Sequence, residues 1–139
     1  KIEAIHKILH THLTNASERG VGEGVRTCGV AREQLFVASK VAAEHKTYEE
    51  AMAGIDKTLE TMGLDYLDLM IIILAAWDKV NQSDDRYVEG NRAAWRALED
   101  AYKAGILKAI GISNFQIGDI ESLVKTQKST DGKPDSTSY

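Results

Sequence analysis

With 139 residues and a net charge of −4, the chain has the length of one packed domain, and 43% hydrophobic against 27% charged residues is the balance of a soluble globular protein. Its basic residues are scattered, so there is no stripe for nucleic acid and no polybasic patch for a membrane. A single cysteine, Cys28, excludes an internal disulfide and fits a reducing compartment, namely the cytoplasm. The longest apolar run, Leu69 to Trp77, is far too short to span a bilayer, and the opening residues do not read as a secretory leader. A start at Lys1 rather than Met points to a processed or partial product.

The first segment carries Ile2, Ile5, Ile8 and Leu9 on one helical face, and reads as a helix or as a helix frayed into a strand. Residues 10–17 fit no pattern well. Gly20, Gly22 and Gly24 are dense enough to disfavour a helix, and suggest a turn entering a short helix that packs closely on something. They are not a dinucleotide fingerprint, because they follow no strand and have the wrong spacing. Gln34 to Lys40 reads as a strand. Thr47 and Glu50 form a capping box, followed by a helix with Met52, Ile55, Leu59 and Met62 on one face and Gly63 as its stop.

Leu67 to Leu74 is almost continuously apolar, as in a strand covered on both faces of a parallel sheet. A polar loop is expected over 78–89. A helix follows over 91–104, with Ala94, Trp95, Leu98, Ala101 and Tyr102 inward and Gly105 ending it. Leu107 to Ile112 is a further strand. Ile117 to Val124 is a short helix with Ile117, Ile120, Leu123 and Val124 apolar. The remaining tail is polar, includes the only proline, Pro134, and reads as disordered. The expected division is a domain over 1–126 and a tail over 127–139. Alternating strands and helices with short connections mean parallel βαβ units. Periodicity alone leaves open a doubly wound sheet or a segment of a barrel.

Three blocks are more specific. Gly20 to Val41, Tyr48 to Ile72 and Glu89 to Phe115 resemble, in order and spacing, the aldo-keto reductase segments running from before the second barrel strand to the loop after the fourth. The likeness covers about residues 18–124, and is greatest to the bacterial branch that reduces small carbonyls such as diketogluconate or glyoxals. The resemblance implies an α/β fold, about half of a (β/α)8 TIM barrel, a complete one needing roughly 250 residues. It also implies NADPH as cofactor and a small carbonyl compound as substrate. In such enzymes a Tyr donates a proton, a Lys and an Asp tune it, and a His orients the carbonyl. A phenol is a poor acid at neutral pH unless a nearby ammonium lowers its pKa.

Carried over residue by residue, the resemblance assigns the catalytic Lys to Lys40. The family Asp and Tyr belong between about residues 8 and 18, yet the chain has no Asp before Asp56 and no Tyr before Tyr48. Ile73 stands where the family His ends the third strand, and no His follows His45. Ala42 stands where a substrate-pocket Trp is usual. Ser113 and Asn114 match the pair that hydrogen-bonds the nicotinamide carboxamide. The chain is therefore expected to be an aldo-keto reductase family oxidoreductase impaired in catalysis, the alternative being a non-catalytic half-barrel assembly module. Read without the family, Lys40 is a solvent-facing lysine and Ser113-Asn114 a plain turn. His6, His10 and His12 have a spacing that could hold a metal but lack a third ligand, so no metal is expected. Cys28 reads as inert and Asp84-Asp85 as a solvated loop. A half barrel leaves open strand edges, so a homodimer or other self-association through the open face is expected.

Overall fold

Four short strands alternate with helices in a computed structural model that describes residues 7–10, 15–42, 45, 47–73 and 85–131. The order is β1 (Lys7–His10), α1 (Asn15–Thr27), β2 (Leu35–Val41), α2 (Tyr48–Met62), β3 (Leu69–Ile73), α3 (Asp85–Lys103), β4 (Ile110–Ser113) and α4 (Ile117–Asp131). A 3₁₀ turn, Arg32–Gln34, leads into β2. Every neighbouring pair of strands is parallel, and their order in the sheet is that of the sequence. A doubly wound sheet reverses its strand order at a switch point. This sheet does not, and has the arrangement of a barrel segment.

Residues side by side in a parallel sheet share a face, and faces alternate along each strand. Leu35, Val37, Ser39 and Val41 of β2 are buried, and Ser39 and Val41 pair with buried Met70 and Ile72 of β3. That face meets the helices. Ala51, Ile55 and Met62 of α2 and Ala94, Ala97, Leu98 and Ala101 of α3 complete the core against it. Burying each of the larger side chains contributes about 1.5–3 kcal/mol. On the other face Phe36, Leu69, Ile71 and Ile73 are only half-buried. The expectation of β3 covered on both faces thus holds for one face only. A closed barrel would fill the second face with side chains from strands that this sheet lacks.

The capping box is formed: Glu50 N donates to Thr47 Oγ1 and Thr47 N donates to Glu50 Oε2, both at 3.1 Å. Gly63 ends α2 at φ 64 and Gly105 follows α3 at φ 80, the left-handed conformation in which a glycine costs least.

Several expectations are corrected. Of the two readings of the first segment, the helix gives way to the strand at Lys7–His10, where parallel pairing with β2 satisfies the backbone better than an isolated turn of helix. Helix α1 begins at Asn15 and contains all three glycines instead of following them. Packing overrides propensity there: a Cβ on Gly22 would lie 2.6 Å from Met62 Cα, so only glycine lets α1 approach α2 so closely. Helix α3 starts at Asp85, inside the expected loop. Tyr102 is 52% exposed, not inward, and Ala97 takes its place in the core. Helix α4 runs on to Asp131, and of its apolar residues only Leu123 is buried. Ile2, Ile5, His6, His12, residues 74–84 and the rest of the expected tail lie outside the described residues.

Candidate active-site rim

The sheet's pairing brings the family-assigned residues to one end and one face. Lys40 stands beside Ile71, and two residues further along β3 Ile73 stands beside Ser113. Lys40, Ile71, Ile73 and Ser113 therefore share the face turned away from the helices, at the C-terminal ends of their strands. That end is where barrels of this type place their chemistry. Lys40 and Ser113 are two strand spacings apart, roughly 10 Å, before their offset along the strands is added.

Lys40 is half-buried, with no ion pair or side-chain hydrogen bond among the described residues. The neighbour the family would supply on β3 is instead Ile73, a half-buried aliphatic side chain that can neither donate nor accept a proton. Asn114 follows Ser113 with φ 63, a conformation that Asn tolerates better than most side chains. It is exposed and turns the chain from β4 towards α4. Asp119 then holds the helix start, its Oδ2 accepting from Gln116 N at 2.9 Å.

Behind Lys40, on the helix side, lies a buried polar node that the sequence reading missed. Glu18 is 5% exposed, and its Oε1 accepts from Ser39 Oγ and from Thr58 Oγ1, each at 3.0 Å. One carboxylate thus ties α1 to β2 and α2, next to Lys40 in sequence. A signal was present: Glu18 shares a helical face with Val21 and Val25, an acidic residue on a core stripe.

A second node sits at the opposite end of the sheet. Arg32 donates to Asp68 Oδ2 at 2.8 Å, to Leu35 O and to Tyr66 O at 3.0 Å, and its guanidinium lies 4.0 Å from the centroid of the Tyr66 ring. Asp68 Oδ2 also accepts from Val37 N, and the Lys108 ammonium lies 4.1 Å from the same ring centroid. This clamp joins the entries to β2, β3 and β4. At the N-terminal end of such a sheet it serves stability rather than chemistry. Between helices α2 and α3, Tyr48 Oη donates to Asp100 Oδ2 at 2.9 Å. That hydrogen bond to a carboxylate, with minor burial and nearby negative charge, raises the Tyr48 phenol above its ordinary 10.0.

Among the described residues no three metal-ligating side chains converge, and His6 and His12 lie outside them. Cys28 is exposed at the end of α1. No described helix is long and apolar enough to cross a membrane.

Parallel βα units in sequential order, with polar residues gathered at the strand C-terminal ends, define a segment of an enzyme-type α/β barrel. Residues 13–136 match the Aldo/keto reductase family. The chain belongs to that family. It is 42% identical over 120 residues to a glyoxal reductase of Bacillus subtilis, covering 86% of this chain and 40% of that protein. It is 34% identical over 125 residues to 2,5-diketo-D-gluconic acid reductase B of a Corynebacterium, covering 90% and 40%. Among solved structures, an aldo/keto reductase from Brucella melitensis superposes with a TM-score of 0.76 at 28% identity, over 90% of this chain and 44% of that one. A Bombyx mori aldo-keto reductase in complex with NADP gives 0.68 at 29% identity, over 89% and 41%. The chain thus spans about 40% of the length of the curated relatives it matches.

Proposed function

We propose that this chain is the first half of an aldo-keto reductase barrel that keeps part of a nicotinamide-binding rim and has lost the proton-transfer machinery. One observation carries the reading: Lys40 stands at the C-terminal end of β2 beside a β3 that ends in Ile73, in a chain with no Asp or Tyr ahead of Lys40. Catalytic groups of this kind act as a unit, so losing three of four removes nearly all of the rate.

The donor set of β4 fits the carboxamide end of NADPH. Ser113 offers a hydroxyl on the face it shares with Lys40, and Asn114 offers an amide that both donates and accepts. A carboxamide needs one donor and one acceptor partner, and these two residues supply both. Lys40 would add positive charge near bound substrate oxygen. NADPH, when bound, supplies hydride for carbonyl reduction. The cytoplasm, where that cofactor is used, fits the single exposed cysteine.

NADPH oxidation with methylglyoxal tests the reading, beside a Lys40→Met control. We expect turnover no greater than the control's. Turnover that Lys40→Met abolishes would instead make this chain a small-carbonyl reductase whose acid comes from another polypeptide segment. The relative named as a glyoxal reductase favours that second reading. Cofactor binding is tested separately by NADPH fluorescence. Ser113→Ala and Asn114→Ala should each weaken it about five-fold, the value of one neutral hydrogen bond. Equal binding by both variants would remove the rim assignment.

A further inference from the structure

Helices α1 and α2 meet along a seam that changes character from turn to turn. Its middle is the close approach of Gly22 to Met62, where a Cβ would lie 2.6 Å from Met62 Cα. One turn later on α1, Arg26 Nη1 donates to Met62 O. That contact satisfies a carbonyl at the end of α2, which no residue of the helix can pair. One turn earlier on both helices the seam holds Glu18 against Thr58, whose Oγ1 donates to Glu18 Oε1 at 3.0 Å. Ser39 Oγ donates to the same oxygen at 3.0 Å. Glu18, Ser39 and Thr58 are 5%, 1% and 6% exposed. Packing alone does not call for a carboxylate there, because an apolar side chain of similar volume would fill the site without desolvating a charge.

We propose that Glu18 is a positioning residue for Lys40, holding the end of β2 so that the lysine side chain keeps one direction at the rim. Ser39 directly precedes Lys40, and β2 ends at Val41, the last residue paired with β3. Faces alternate along a strand, so Ser39 meets the helices while Lys40 takes the opposite face. A tie on Ser39 therefore fixes the rotation of the strand at the residue before Lys40, from behind the sheet. The other hydroxyl on Glu18 Oε1 makes α2 the anchor, and α2 is itself held in the core by Ile55 and Met62, both 0% exposed. Glu18 lies in the first turn of α1, where the helix N-terminus favours a negative charge. Hydrogen bonds have directions and apolar contacts do not, which is what the buried carboxylate supplies that a leucine would lack. The inference rests on the assignment of Lys40 to the rim, and its test reads Lys40 itself rather than turnover or cofactor binding.

Reductive methylation of the full chain with isotope-labelled formaldehyde marks the lysine amines for NMR and keeps their charge, and Lys40→Arg assigns the Lys40 signal. In the wild-type chain that signal should stand apart from those of exposed Lys57 and Lys103. Glu18→Leu should move it to the exposed-lysine position while circular dichroism shows the helices retained. Thr58→Val matches threonine in shape and removes one hydroxyl, so it should move the signal the same way by less, and it carries the test where Glu18→Leu does not fold. Glu18→Gln keeps the accepting oxygen and should retain the wild-type signal. An unmoved Lys40 signal in either of the first two variants, once folded, overturns the proposal and leaves Glu18 as a contact of the fold alone. A Glu18→Gln signal displaced as far as that of Glu18→Leu also overturns it, because charge and not the tie would then act on Lys40. Failure of the wild-type chain to bind NADPH counts against the cofactor reading and leaves this test standing.

Discussion

The apolar core of this half barrel is joined by a few buried polar side chains. Arg32 and Asp68 are mostly buried, with side chains 18% and 12% exposed, and between them they join the entries to β2 and β3. Removing one partner leaves the other charge desolvated and unpaired. Asp68→Ala should therefore cost about 3 kcal/mol, read as a fall in the urea midpoint at unchanged slope. A loss below about 1 kcal/mol would show that the clamp behaves as an exposed pair. Tyr48 gives a prediction in pH. Its raised phenol pKa means the neutral form is favoured in the folded chain, so its bond to Asp100 is intact below the ordinary value of 10.0 and is lost as pH rises through the higher folded value. The phenolate difference spectrum between wild type and Tyr48→Phe should place the midpoint above 10.0. Asp100→Asn should move that midpoint down.

At the scale of elements, helices with caps and strands with continuous apolar runs were legible in the sequence. Thr47, Glu50 and Gly63 bracket α2 with local chemistry, and the structure forms all three contacts. Helix α1 was not legible in the same way, because its three glycines argue against a helix and only the approach to Met62 explains them. Gly22→Ala should separate α1 from α2 and destabilise by about 1–3 kcal/mol, even though Ala is the better helix former. A rise in melting temperature would mean that helix propensity outweighs the contact. Thr47→Ala should cost about 1 kcal/mol through the lost cap, measured in the same way. The rim was legible as positions but not as an assembly. Lys40 and Ser113 came from family spacing, whereas their common face follows from the register β2–β3–β4, which no local pattern contains. The Glu18 node depends on Ser39 and Thr58 arriving from separate elements, so only its misplaced acidic residue showed in the sequence.

At the scale of the whole molecule, what is missing is distributed, and this decides whether it can be put back. By the resemblance, the family places its proton donor and Asp ahead of β2 and its His at the end of β3. On the proposed reading this chain departs at both places while keeping a fold that superposes on part of an aldo/keto reductase. Ile73→His would restore one group on the face that Lys40 and Ser113 share. An imidazole there could orient a carbonyl, but no phenol would stand ready to give the proton. Since the groups work only together, Ile73→His should leave NADPH oxidation at the level of the Lys40→Met control. It should also lower stability by about 1 kcal/mol, because a half-buried aliphatic side chain is lost. A rise in turnover from this single change would mean that a proton donor already faces the rim, and would reverse the reading of the chain as catalytically impaired.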